Sequence, residues 1–549
     1  MLQERFVAYL ENGIKENWEI TALSDYQSES FTYGEVAREI ARIHFLYHNL
    51  GIKSGDKIAL VGKNSARWCI VYLATVTYGA VIVPILPDFT PEDIHFIVNH
   101  SDSVLFFCSD AIFETLKFQE MDHIAGVISV NHYTILDEKN QQLSKNFNAY
   151  EDFIKNKFPQ GYQAKDFNPP VTENDKLAVI SYTSGTTGFS KGVMLSHNSL
   201  AANIRFAQNH MPLNPGDRIV SFLPLAHTYG CAFEFLFPFS IGCSITILTK
   251  TPSPKIITQA FKEIRPALIL SVPLVIEKIY KKQIIPVIKK PHMKILLSIP
   301  GLKNIILSKI RKKLTGVFGG NFTEVIIGGA PFNPEAEQFF KKMKFRYTVG
   351  YGMTECGPLI SYAAWDEIPR GSSGKPVDTL EVKIDSLNPA KEAGEIILRG
   401  ENVMEGYYKN KEATDEIIDK DGWLHTGDLG LMDEQGFIYI KGRTKSLILG
   451  ANGKNIYPEE IEAAYNNRWG VAETVLVHRK EKLVMLIYPE IEVLKAYGME
   501  ESEFPELFER YRKEINNTIP GYMKVSSVEI HEEEFVKTPK RSIKRYLYH

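Results

Sequence analysis

Cysteine is scarce in this chain: five residues in 549, at positions 69, 108, 231, 243 and 356, and no two in a CxxC spacing. That argues against a disulfide framework and against a zinc site built on paired thiolates, and it points to a reducing compartment. An excess of one charge is also missing. The 63 Lys and Arg against 66 Asp and Glu leave −3, so there is no global case for nucleic acid as a partner. No run of 18 uncharged apolar residues occurs, and no membrane span is expected. The first residues, MLQERFVAYLENGIKENWEI, are broken by charges and lack the apolar core of a signal peptide. The expected location is the cytoplasm. No internal repeat is evident.

What is present is ordinary globular composition, 44% hydrophobic and 23% charged, which excludes disorder and allows large cores. At roughly 150 residues per domain the length suggests about three or four structural units. Buried-strand runs punctuate the first two thirds: KIALVG (57–62), VIVPIL (81–86), VLFFC (104–108), LAVISY (177–182), IVSFLP (219–224), SITIL (244–248), LILSV (268–272) and EVIIGG (324–329). Apolar strands alternating with helical patterns imply parallel sheets covered on both faces. Residues 157–175 are polar and Pro-containing, a loop feeding the strand at 177. From about Gly371 short strands sit between Gly- and Asp-rich turns. The expected domains are 1–440, with a β-rich piece at 370–440, a hinge at 441–446 and a small α+β unit at 447–549.

One segment carries chemistry on its face: Tyr182-Thr-Ser-Gly-Thr-Thr-Gly-Phe-Ser-Lys-Gly192, directly after a buried strand. Gly185, Gly188 and Gly192 permit a tight loop with exposed backbone N–H groups. Thr183, Ser184, Thr186 and Thr187 offer hydroxyls and Lys191 a positive charge, together a cradle for a polyphosphate. It is not a Walker A loop, because Ser190 stands where the second Gly belongs.

YTSGTTGFSKGV resembles the phosphate-binding signature of the adenylate-forming superfamily, which includes acyl-CoA synthetases, peptide-synthetase adenylation domains and luciferases. Four further motifs follow in the order of that family: IIGGAPF (326–332), YGMTECGP (351–358), GWLHTGDLG (422–430) and KGRTKSLILGANGKNIYPEEIE (441–462). The resemblance implies an α/β fold with a large N-terminal domain of two parallel-rich sheets flanked by helices, a small β-barrel-like subdomain, and a mobile C-terminal α+β domain. It also implies a two-step reaction with ATP, Mg²⁺ and a thiol, coenzyme A in the acyl-CoA synthetases. A carboxylate first attacks the α-phosphate and expels pyrophosphate; the thiol then takes the acyl group and AMP leaves.

Physical roles suit the matched positions. Glu355, among small residues, fits Mg²⁺ that bridges phosphate oxygens, with Thr183 beside it. Tyr351, in the run with Gly352, Met353 and Thr354, offers a flat face for adenine. Asp428 can accept both ribose hydroxyls, and Arg443 can fork onto ribose or α-phosphate. Taken singly, the same residues read equally as a core tyrosine, a turn aspartate and a surface arginine. The resemblance places Gly329 and Ala330 on the adenine side, Gly328 and Gly329 against the acyl group, a hinge at Lys445, and the thiol path at Gly450, Asn452 and Gly453.

SFLPLAHTYGCAFEF (221–235) resembles the segment framing the acyl pocket, with His227 at its mouth. Amino-acid-activating relatives carry an Asp near here; this chain has Ala226, His227 and Thr228, which favours an uncharged acyl tail and so a fatty acid. Residues 278–323 hold eleven Lys and Arg and no acid. They form either a surface that lies on anionic lipid or a plain solvated basic face. One motif departs. The family's terminal Pro-Lys-Thr-x-x-Gly-Lys-Ile-x-Arg is Val536-Lys-Thr-Pro-Lys-Arg-Ser-Ile-Lys-Arg545 here, which puts Ser542 where the catalytic lysine belongs. Lys540 or Lys544, each two residues away, would substitute from the same face of an extended segment. Three readings stand: a fatty acid–CoA ligase; a ligase that loads an acyl carrier protein by the same chemistry; and a nucleotide-binding protein with impaired catalysis.

Overall fold

The computed structural model describes all residues except 148, 184–190, 251, 289, 300, 450–454, 480–481, 538–542 and 549, and the side chains at 282, 283, 291 and 294. All eight apolar runs form strands, and where a strand is shorter than its run the cause is local. The run at 219–224 is a strand only over Arg218–Ser221, because the N–H groups of Phe222 and Leu223 turn to the Glu234 carboxyl instead of a neighbouring strand. The run at 324–329 is a strand over Val325–Ile327, ending before Gly329 at φ +86°, a left-handed geometry that glycine adopts freely.

The largest sheet has eight strands, in the spatial order Gly406–Tyr407, Lys191–Ser196, Leu177–Thr183, Val81–Ile85, Lys57–Val61, Ser103–Cys108, Gly126–Ser129 and Ile135–Glu138. Its centre is parallel, as the apolar runs predict. Its two ends are antiparallel hairpins. Lys191, expected in the phosphate loop, therefore opens a strand, with Thr183 as its partner. A second sheet joins Arg218–Ser221, Ser244–Ile247, Thr21–Asp25 and, antiparallel to the last, Ser30–Thr32; a third, all parallel, holds Ile269–Ser271, Val325–Ile327 and Tyr347–Val349.

Helices fill the layers between sheets. Ala66–Tyr78 is capped by the Ser65 side chain on Trp68 N and stopped by Gly79 at φ +85°. It is apolar on nearly every side and correspondingly buried. His197–His210 begins at a Ser196 cap and is buried through most of its length.

Beyond this layer, Leu380–Asp385, Gly394–Gly400, Leu424–Met432 and Ile438–Arg443 make a four-stranded antiparallel sheet. The main core draws on residues from Phe6 to Phe437. A separate core, including Ile461, Tyr465, Met485, Phe508 and Ile515, packs the helices Pro458–Asn466 and Phe504–Asn516 on the strands Val471–Arg479, Lys482–Pro489 and Ser527–Ile530. All five cysteines are buried and free. Among the described residues no helix is long and apolar enough to cross a membrane.

Candidate active site

The hairpin of Leu177–Thr183 and Lys191–Ser196 brings the two ends of the hydroxyl–glycine loop into adjacent register, and the Thr183 hydroxyl donates to the Lys191 carbonyl at 3.5 Å. Gly192 is required there: a Cβ would lie 2.8 Å from Ile180 and 3.1 Å from the Tyr182 ring. Lys191 Nζ sits 4.8 Å from the centre of the Tyr407 ring, a cation–π distance. The Tyr407 hydroxyl donates to Glu355 Oε1 at 2.9 Å, and the Glu355 carbonyl accepts from Met404 N at 2.8 Å. One aromatic ring thus spaces the ammonium of Lys191 from the carboxylate of Glu355. Burial, then Glu355, pushes the Tyr407 hydroxyl far above its ordinary value, so it stays a donor.

A brace lies beneath. His100 Nδ1 meets the Tyr182 hydroxyl at 2.7 Å, while Tyr408 and Lys409 both donate to Asp102 at 2.8 Å. Burial, then the Lys409 charge, lowers the His100 pKa.

Asp428 lies on Leu424–Met432 opposite Arg443. It is 7% exposed; Oδ2 accepts from the Tyr351 hydroxyl at 2.6 Å and Oδ1 faces Arg443 Nε at 3.1 Å. Burial raises its pKa and Arg443 opposes the rise. Tyr351, Asp428 and Arg443 therefore form one constellation, with the Arg443 side chain mostly in solvent. Residues 351–358 fold back tightly: Met353 N donates to Pro358 O at 2.9 Å, and a Cβ on Gly352 would stand 2.2 Å from that same oxygen. Thr354 is buried within this turn.

His227 is half-buried and caps a short helix, with Nδ1 accepting from Tyr229 N at 3.3 Å. The Tyr229 hydroxyl donates to Ile326 O at 3.1 Å. Its ring lies 3.1 Å from where a side chain on Gly328 would begin, so the glycine makes room for it. Gly329 and Ala330 are exposed. Tyr229 and Gly328 therefore lie against each other, with His227 capping the helix that carries Tyr229.

Lys445 is exposed in a short 3₁₀ turn, Thr444–Ser446. Ser184, Gly185, Thr186, Thr187, Gly188, Gly450, Asn452, Gly453 and Lys540 lie outside the described residues. Lys537 and Ile543 are antiparallel partners, and Lys544 N donates to Val536 O at 2.8 Å. Ser542 lies outside the described residues as well. Arg545 grips the buried Glu462 with two N–H donors, one at 2.7 Å from Oε1.

The described residues contain no group of three or more His, Cys, Asp or Glu placed to hold a metal. A lone carboxylate such as Glu355 instead suits an ion that takes most of its ligands from phosphate and water, the habit of Mg²⁺.

The family model for AMP-binding enzymes matches residues 10–408. The chain belongs to the AMP-binding enzyme family. Long chain acyl-CoA synthetase 7, peroxisomal, of Arabidopsis thaliana is 30% identical over 506 residues, 86% of this chain and 70% of the relative. A long-chain-fatty-acid–CoA ligase of Salmonella typhimurium is 30% identical over 461 residues, 79% and 75%. The solved anthranilate CoA ligase AuaEII with anthranoyl-AMP superposes with a TM-score of 0.78 at 19% identity, covering 100% of this chain and 97% of that one. The O-succinylbenzoate coenzyme A synthetase of Bacillus subtilis with ATP and magnesium gives 0.74 at 20%, covering 98% of each. Both share the fold.

Several residues of this AMP-binding enzyme escape sequence reasoning. Tyr407 sits in the unremarkable run EGYYKN (405–410); only its pairing with Val193 brings it to Lys191. Asn64 and Glu234 hold the segment before His227; Asn64 lies in no motif, and Glu234, though within 221–235, carries no signal of its own there.

Proposed function

We propose that this AMP-binding enzyme is a fatty acid–CoA ligase acting on medium or long acyl chains. The observation that carries the proposal is the Lys191–Tyr407–Glu355 arrangement at the open end of the loop hairpin. An ammonium and a carboxylate joined through one ring support a cation and a metal-holding group that serve the same phosphate. In this reading Lys191, Thr183 and the loop donors Ser184, Thr186 and Thr187 neutralise the triphosphate of ATP. Asp428 and Arg443 orient the ribose and Tyr351 the base. Glu355, with Thr183, would hold Mg²⁺, which supplies charge neutralisation at the leaving pyrophosphate. One acid oxygen then bonds the α-phosphorus as the bond to pyrophosphate breaks, and the coenzyme A sulfur later bonds the acyl carbon as AMP leaves.

Ala226 and Thr228 flank His227 with no carboxylate for a substrate ammonium, which supports an apolar acid. The names of the Arabidopsis and Salmonella relatives point the same way. Lys445 serves as the pivot that swings Gly450, Asn452 and Gly453 toward the thiol, and Lys540 or Lys544 replaces the absent lysine at Ser542.

The test is pyrophosphate release from ATP, Mg²⁺ and acids from acetate to oleate, with coenzyme A, with an acyl carrier protein, or with neither. Turnover with long acids that requires coenzyme A establishes the reading. Turnover only with the carrier protein reassigns the thiol, and ATP binding with no pyrophosphate from any acid refutes it.

A membrane contact through 278–323 has its own support. Ile295, Ile299, Leu302 and Ile305 are 39–65% exposed within a segment of eleven basic and no acidic residues. Apolar contact and positive charge together suit an anionic bilayer. Flotation with phosphatidylglycerol vesicles but not with phosphatidylcholine vesicles is the expected result.

A further inference from the structure

Glu234 has no part in the chemistry above, yet its surroundings are built around it. It lies in a turn of π-helix, Cys231–Leu236, and is 0% exposed. π-Turns inside helices are rare and concentrate at functional sites. Its Oε2 accepts from Ser221 Oγ at 3.0 Å and from the backbone N–H groups of Phe222 and Leu223, both at 2.9 Å. Its Oε1 has no hydrogen-bond partner among the described residues. The three donors are the last residue of the strand Arg218–Ser221 and the two that follow, where the chain leaves the sheet for His227.

A second hold comes from Asn64, in the link between the strand Lys57–Val61 and the helix Ala66–Tyr78. Its Nδ2 donates to Leu223 O at 2.6 Å and its Oδ1 accepts from Leu225 N at 3.0 Å. Four backbone groups within 222–225 are thus held by two side chains from remote parts of the sequence. Two residues later His227 caps Tyr229, and Tyr229 reaches Ile326 in the strand Val325–Ile327, which Gly328 follows.

We infer that Glu234, together with Asn64, is a positioning residue for the acid substrate, fixing the corner at 222–227 that leads through the His227 cap to Tyr229 and sets Tyr229 against Gly328. The inference rests on the adenylation reading and adds to it the part that decides where the acid's reacting end sits. Without an acceptor at 234 the Phe222 and Leu223 N–H groups are buried and unpaired, and the corner turns toward other partners. Small displacements of a reacting carboxylate cost rate and affinity steeply. Burial pushes the Glu234 pKa up to about 8, against the opposing pull of Leu223, Ser221 and Phe222. The neutral carboxyl is therefore the form that holds the corner near neutral pH, and glutamine is its closest substitute.

The experiment measures KM separately for ATP and for a long-chain acid in Glu234→Gln, Glu234→Leu and Asn64→Ala, with thermal midpoints alongside. Asn64→Ala and Glu234→Leu raise the acid KM about tenfold or more and leave the ATP KM unmoved. Glu234→Gln, whose amide oxygen takes the same three donors, stays near wild type. A purely structural role would lower the midpoint and the active fraction without moving the acid KM in folded protein. If Glu234→Leu fails to fold, Asn64→Ala decides alone. An unchanged acid KM in folded Asn64→Ala, or a Glu234→Gln that raises the acid KM, overturns the inference while wild-type turnover stands. A wild-type chain that turns over no acid removes the adenylation reading, and this role with it.

Discussion

Replacing Arg545 by leucine isolates the tail's anchor. In the wild type Glu462 is 7% exposed; it accepts both guanidinium donors of Arg545 and the Leu476 N–H at 2.6 Å. Arg545→Leu leaves a buried carboxylate without its counter-charge, a change that costs about 3–5 kcal/mol. The loss falls on the core of Ile461, Tyr465 and Phe508, a unit of about a hundred residues. At that size it corresponds to a drop in the midpoint of this unit on the order of 15 °C.

Burial raises the Glu462 pKa, with Arg545 opposing. The deficit therefore shrinks on lowering the pH from 7 to 5, as the stranded carboxyl takes a proton. The double variant Glu462→Leu/Arg545→Leu recovers most of the loss, because an apolar pair of similar volume replaces a buried ion pair at little cost. Calorimetry and circular dichroism read both quantities, and pyrophosphate release reports whether adenylation falls with the tail. A midpoint within a few degrees of wild type in the single variant, or a double variant no better than the single, refutes the reasoning.

Asp428→Asn removes the charge that Tyr351 and Arg443 share, and the ATP KM rises about tenfold to a hundredfold, the worth of a charge-assisted hydrogen bond, with the acid KM unchanged in steady-state assays. Tyr407→Phe keeps the ring beneath Lys191 but drops the donor to Glu355; the Mg²⁺ concentration for half-maximal rate rises about three- to tenfold. Glu234 supplies a pH dependence. Its folded pKa of about 8 lies above the ordinary 4.5, so its protonation favours the folded state fully below about pH 4.5, and that contribution is lost as pH climbs through 8. Across that window wild type loses on the order of 5 kcal/mol relative to Glu234→Gln. Denaturant titrations at several pH values that give parallel stability curves for the two would refute the assignment.

The parallel sheets and the family were legible because each has a local signature: apolar runs between turn residues, and five motifs in a fixed order. Asp428, Arg443 and Tyr351 were legible as separate motif positions, but their convergence was not. A hydrogen bond across 77 positions depends on how two sheets pack, which no local pattern encodes. Glu234 was hidden for a related reason. In sequence it is one acid in the apolar run CAFEFLF; only the π-turn and three donors at and just past the end of a neighbouring strand show why a carboxyl is tolerated there. Lys191 reads as a loop residue in the sequence but stands first in the strand Lys191–Ser196, because pairing with Thr183, not residue type, decides where a loop ends.

The two-residue strand Gly406–Tyr407 has a second consequence. It is the outermost member of the eight-stranded sheet, pairing Gly406 with Met194 and Tyr407 with Val193, and the Glu405 and Tyr408 N–H groups extend the seam. A very short edge strand is a common guard against edge-to-edge association. The residues that space Lys191 from Glu355 therefore also keep the strand Lys191–Ser196 from offering its backbone to another chain. A lesion that frees this segment would show first as self-association, with inactivity as its companion.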